Sequence, residues 1–100
     1  KLPDAILCAT DFLAYGVMHE LQRNGINVPK DILVMGLHNL PGSDVIVPRL
    51  TTVNLPEKVM GNLSANALVE WLDNGGPPNH ILLDTEIVER DSSRRDGSSD

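Results

Sequence analysis

Aromatic side chains are nearly missing: the 100 residues hold one Phe, one Trp and one Tyr. Leu, Ile, Val and Ala must therefore fill any interior. With 41% apolar residues there are enough of them for one small domain. Cysteine is reduced to Cys8, which excludes an internal disulfide. A single thiol inside an apolar run suits a reducing compartment, so the cytoplasm is the expected location. No apolar run approaches the roughly 18 residues of a membrane span. Basic residues are scarce as well, with Lys and Arg together 8 against 14 Asp and Glu, for a formal net charge of −6. Such a surface repels phosphates, so this segment is not expected to touch nucleic acid directly. The pair Arg94-Arg95, set among Asp91, Asp96 and Asp100, is too small to be a basic patch.

Signatures of catalysis are absent too. His19, His38 and His80 fall in no metal-ligand spacing. There is no Gly-x-Ser-x-Gly elbow, P-loop or dinucleotide fingerprint. Cys8 has no basic neighbour and reads as an inert core thiol. The Asn62-Leu63-Ser64 sequon falls in a predicted helix and is set aside. The expectation is a non-enzyme with no catalytic residue, metal or cofactor.

What is present is an alternation of apolar runs and helical stripes. Ala5–Ala9 is a short apolar run that reads as a fully buried strand of a parallel sheet. Thr10 or Asp11 caps a helix whose stripe is Ala14, Val17, Met18 and Leu21, and Asn24-Gly25 stops it. Ile32–Leu37 is a second buried strand, which completes a βαβ unit with a parallel pair. From His38 to Arg49 the chain is irregular, punctuated by Pro41-Gly42 and Pro48 around the apolar island Val45-Ile46-Val47. Leu50–Val53 reads as a short strand. Pro56 opens an amphipathic helix that carries Trp71 on its apolar face and ends at Asn74-Gly75. Ile81–Leu83 and Ile87-Val88 form a last strand region. From Asp91 onward the chain has little to bury and is expected to be disordered.

Ligands of open α/β sheets bind beyond the carboxyl ends of the parallel strands. Those ends carry Thr10, Asp11, His38 and Asn39, a short-armed polar set suited to a small polar ligand. The competing structural readings are a helix cap for Asp11, a strand-end residue for Thr10, and ordinary loop residues for His38 and Asn39.

Several blocks, in order, extend this reading. Pro3-Asp4-Ala5-Ile6-Leu7-Cys8-Ala9-Thr10-Asp11 with Ala14 and Gly16, then Gly25 to Asp31 around Val28-Pro29, then Val34-Met35-Gly36-Leu37-His38-Asn39, then Pro48-Arg49-Leu50-Thr51-Thr52-Val53 with Pro56 and Gly61, and finally Glu89-Arg90-Asp91-Ser92 resemble the LacI/GalR transcription regulators. The resemblance covers residues 3 to 92. It implies an α/β fold: a fragment of a periplasmic-binding-protein-like, Rossmann-like core, with a parallel sheet flanked by helices. Residues 1–49 would belong to the C-terminal lobe. Residues 50–90 would hold inter-lobe crossing strands and a helix packed on the N-terminal lobe, and 91–100 a disordered tail. The start at Lys1-Leu2-Pro3-Asp4, without Met, reads as a cut inside a longer protein whose helix-turn-helix head lies elsewhere.

The resemblance makes Thr10, Asp11, His38 and Asn39 effector-binding residues. It makes the chain part of an effector-sensing core that controls operator affinity, the alternative being a periplasmic or extracellular sugar-binding protein. The implied partners are a sugar, sugar phosphate or other polar metabolite, a second copy of the chain, and operator DNA through the head only, with no membrane. His38 stands where the family has an acceptor Asp, and Leu37 where it has an aromatic. Tolerance of, or preference for, an acidic effector such as a phosphorylated or carboxylated metabolite is therefore expected, with affinity rising as pH falls toward about 6. Phe12, Tyr15, Val45, Ile46 and Val47 form the implied dimer interface, since neither Tyr15 nor the apolar island has an evident internal use, the alternative being that the island folds back onto its own lobe.

Overall fold

The computed structural model describes residues 1–95. They form two compact units, Lys1–Asn54 joined by the segment from Glu86, and Leu55–Thr85. In the first, β1 (Ala5–Leu7), α1 (Asp11–Arg23) and β2 (Leu33–Met35) make the expected βαβ unit, and β1 and β2 are parallel with Ile6 opposite Val34. Beside β2 runs β3 (Thr52–Asn54), joined by a parallel bridge between Met35 and Thr51 and by the His38 N–H to Val53 carbonyl bond of 2.9 Å. Against β3 lies β4 (Glu86–Val88), antiparallel, with Thr52 opposite Val88.

Thr10 caps α1, its hydroxyl accepting the Leu13 N–H at 3.2 Å, and Gly25 with φ 77° follows the end of the helix. The core holds Cys8, Ala14, Met18, Val28, Ile32, Val34 and Leu50, with Ile6, Tyr15, Val17, Leu21, Ile26 and Ile46 packed around it. Burial of each large member contributes about 1.5–3 kcal/mol.

The strands are not buried on both faces as expected. Side chains alternate along β1, so Ile6 turns to the core while Leu7 is 71% exposed. Leu33 and Met35 are half-buried for the same reason.

The segment from Asp91 is also not disordered where it is described. Asp91–Ser93 is a 3-10 turn with Ser92 fully buried, because hydrogen bonds, not apolar contacts, hold it. Residues 96–100 of the expected tail lie outside the described residues.

The second unit holds α2 (Glu57–Asn74), with Pro56 as its N-cap residue rather than its first helical one, and Gly75 (φ 77°) closing it. Trp71, expected in the core, is 46% exposed, and α2 has no buried residue. Within this unit Leu55, Pro56 and the stretch from 75 to 85 are what is available to cover the helix, and Ile81–Leu83 is not a strand. Helix and stretch enclose an apolar groove of about 390 Å³ lined by Met60, Leu63, Ala67, Pro78, Ile81 and Leu83. The division between units runs inside the expected 50–90 segment: 50–54 and 86–90 pack with 1–49.

Candidate functional site

The carboxyl ends of β1 and β2 converge because the Asp11 N–H donates to the Leu37 carbonyl at 3.1 Å. Thr10, Asp11, His38 and Asn39 thus share one end of the parallel pair. Asp11 opens α1 and has no exposed surface. Its Oδ2 accepts the Leu40 N–H at 2.7 Å, and its Oδ1 accepts the Thr52 hydroxyl at 2.7 Å. A buried carboxylate is tolerated when its oxygens are hydrogen-bonded in this way. Both carboxylate oxygens are engaged within the chain, so Asp11 holds the rim loop in place. Gly36 is what lets it do so, since a β-carbon there would run into the Asp11 carboxylate and backbone.

His38 and Asn39 follow with φ of 99° and 52°, consecutive residues in a region that L side chains rarely adopt. The His38 N–H is tied to β3, and the Asn39 N–H donates to the Thr52 hydroxyl at 3.1 Å. The Asn39 carboxamide is the hub of the rim. Its Oδ1 accepts from the Ser43 hydroxyl at 3.0 Å and from Arg90 Nη2 at 3.0 Å, and its Nδ2 donates to Asn54 Oδ1 at 3.4 Å. Arg90 also donates from Nη1 to Ser43 Oγ at 2.8 Å and to the Leu50 carbonyl at 2.9 Å.

Sequence reasoning missed Arg90, Ser43, Thr52 and Asn54 as members of this network. The signal available was Arg90 within the final family-like block, where it carried no assigned role. Because the rim is hydrogen-bonded throughout and polar, it suits recognition of a small polar ligand. Among the described residues there is no grouping of His, Cys, Asp and Glu able to hold a metal ion. No helix among them is long and apolar enough to cross a membrane. Burial, and then the Asp11 charge, push the Cys8 thiol up, which disfavours the reactive thiolate.

The residues expected at a dimer interface divide into two groups. Phe12, Val45 and Val47 are 65%, 74% and 81% exposed. Tyr15 and Ile46 have internal uses after all. The Tyr15 hydroxyl donates to the Pro41 carbonyl at 3.0 Å, and both side chains pack on the core.

Comparison with known proteins agrees with this architecture. Residues 1–93 match the model of the periplasmic binding protein-like domain. The HTH-type transcriptional regulator RegA of Clostridium acetobutylicum is 39% identical over 92 residues, 91% of this chain and 28% of that protein. Among solved structures, a transcriptional regulator CelR–cellobiose complex superposes with a TM-score of 0.82 at 28% identity, over 90% of this chain and 28% of that one. A lac repressor dimer bound to operator and the anti-inducer ONPF superposes with a TM-score of 0.81 at 28% identity, over 92% and 32%. This chain therefore spans about 28% of the length of RegA, and it belongs to the periplasmic binding protein-like domain family, among the regulators of LacI type.

Proposed function

We propose that this chain is part of the effector-sensing core of a cytoplasmic, homodimeric DNA-binding regulator, in which a small polar metabolite bound at the rim controls operator affinity. The observation that carries the reading is the rim itself: His38 and Asn39, both at positive φ, held at the carboxyl end of the parallel pair by Asp11, Thr52, Ser43 and Arg90. Backbone held so far from its ordinary preference is characteristic of ligand clamps. The cellobiose complex of CelR, and the operator and anti-inducer in the lac repressor dimer, support the assignment. In this reading residues 1–49 with the β3–β4 pair belong to one lobe, the apolar face of α2 packs on the other, and DNA is read by a separate head. In the same reading His38 and Asn39 present the ligand-facing groups, and Thr10 and Asp11 flank them.

The test uses the intact protein. A panel of polar metabolites is screened for a rise in melting temperature, and each hit is then assayed for a change in operator affinity. The expected outcome is at least one metabolite that does both, and whose effect is lost in His38→Ala. Ligand present at a hundred times its Kd raises stability by about 2.7 kcal/mol, which a melting curve resolves. Hits that bind without changing operator affinity would remove the regulatory reading.

A further inference from the structure

The charge on Arg90 is handled unusually. The side chain is half-buried and reaches three acceptors: the carboxamide oxygen of Asn39, the hydroxyl of Ser43 and the carbonyl of Leu50. All three are neutral. Among the described residues no carboxylate pairs with this guanidinium. Asp11, the carboxylate of the same network, is turned to the Leu40 N–H and the Thr52 hydroxyl and makes no hydrogen bond to Arg90. A partly desolvated guanidinium is ordinarily matched by a carboxylate or a phosphate, to which its fork of N–H groups is fitted.

Three of the five N–H groups that a guanidinium carries are used. The Nε–H and one Nη2–H make no hydrogen bond among the described residues. Asn39 Oδ1, at 3.0 Å from Nη2, sits where a carboxylate would neutralise the charge, and a carboxamide stands there instead. Among the described residues the guanidinium thus has no carboxylate hydrogen-bonded to it, and it is bonded directly to Asn39, one of the two residues that the proposed function makes ligand-facing.

We propose that Arg90 is a specificity-determining residue of the rim, whose charge, not directly paired with a carboxylate, selects an effector bearing an anionic group, a phosphate or a carboxylate, over its neutral counterpart. The proposal rests on the effector-sensing reading and deepens it. Asn39 sets the selection by being an amide: it positions the guanidinium without discharging it.

The test exploits the near-isosteric change Asn39→Asp, which keeps the acceptor for Ser43 and Arg90 and supplies the missing charge. The intact protein and the variant are titrated calorimetrically with matched pairs: a hexose with its 6-phosphate, a hexose with its uronate, and a nucleoside with its 5′-monophosphate. In the unchanged protein the anionic member of at least one pair should bind about tenfold to hundredfold more tightly than the neutral one, the worth of a charge-assisted hydrogen bond. Asn39→Asp should bring that ratio toward one while melting at the same or a higher temperature, which separates loss of selectivity from loss of fold. Arg90→Lys, which retains the charge, should retain a preference for the anion. Neutral members binding as tightly as their anionic partners, or a ratio untouched by Asn39→Asp, would overturn this proposal alone. If no member of any pair binds and none alters operator affinity, both the effector-sensing reading and the proposal fall.

Discussion

Gly36 is the smallest residue at the rim and one of the most constrained. Its place is taken up by the carboxylate and backbone of Asp11, so even a methyl group has no room. Gly36→Ala should displace Asp11 from the Leu40 N–H and the Thr52 hydroxyl together. The expected cost is about 1–3 kcal/mol, as for other overpacked interiors, read as a lowered denaturation midpoint of the intact protein. An unchanged midpoint would mean that the carboxylate is not held as described. Because Asp11 anchors Leu40, the same substitution should also loosen His38 and Asn39 and weaken whatever binds there. The residue thus links local sterics to the geometry of recognition.

At the scale of elements, the closing turn Asp91–Ser93 does more than its composition suggests. The Ser92 hydroxyl donates to the Val34 carbonyl at 2.6 Å and accepts the Thr51 N–H at 2.9 Å, and the Ser92 N–H donates to the Arg49 carbonyl at 2.9 Å. One serine therefore ties β2, the entry to β3 and the turn Asp91–Ser93 together. Ser92→Ala would leave a buried carbonyl and a buried N–H without partners, at a cost of about 1–3 kcal/mol each. A denaturant midpoint within error of the parent would contradict this.

The neighbouring Asp91 predicts a pH effect. The Arg49 hydrogen bonds hold its carboxyl below the ordinary range, against a smaller opposing desolvation. A carboxyl depressed in the folded state stabilises above its unfolded value, and that contribution is lost as pH falls through the lower folded value. The pair is exposed, so the effect should be small and sensitive to salt. Asp91→Asn should remove it, giving a melting temperature that depends less on pH below about pH 4.

The same elements show what sequence could and could not convey. The βαβ unit was legible because two short apolar runs, around Ile6 and Val34, flank a helical stripe that holds Ala14 and Met18. The turn at Ser92 was not legible. Its burial depends on partners at Val34 and Thr51, far away in the chain, and hydrogen bonds across such separations leave no periodic trace. Arg90 escaped for the same reason. Tyr15 lies off the α1 stripe, so its internal hydroxyl bond to the loop could not be read from spacing.

At the scale of the whole molecule, the question is how two copies meet. Regulators that read paired operator half-sites do so as dimers, which requires a self-complementary patch on each core. Tyr15 and Ile46 cannot be clean probes of it. Both pack on the core, and a charge at either would disrupt the fold before it tested an interface. Phe12 at the start of α1 and Val45 and Val47 in the loop are the members of the expected interface that remain exposed. Covering a large apolar side chain contributes about 1.5–3 kcal/mol, so charging two of them should shift a dimer strongly toward monomer. Phe12→Glu with Val47→Glu should therefore make the intact protein sediment as a monomer with an unchanged far-ultraviolet circular dichroism spectrum. Operator affinity should fall in step, because each head would then bind its half-site alone. A double variant that still sediments as a dimer at micromolar concentration would place the interface on another face, and the exposure of Phe12, Val45 and Val47 would need a different explanation.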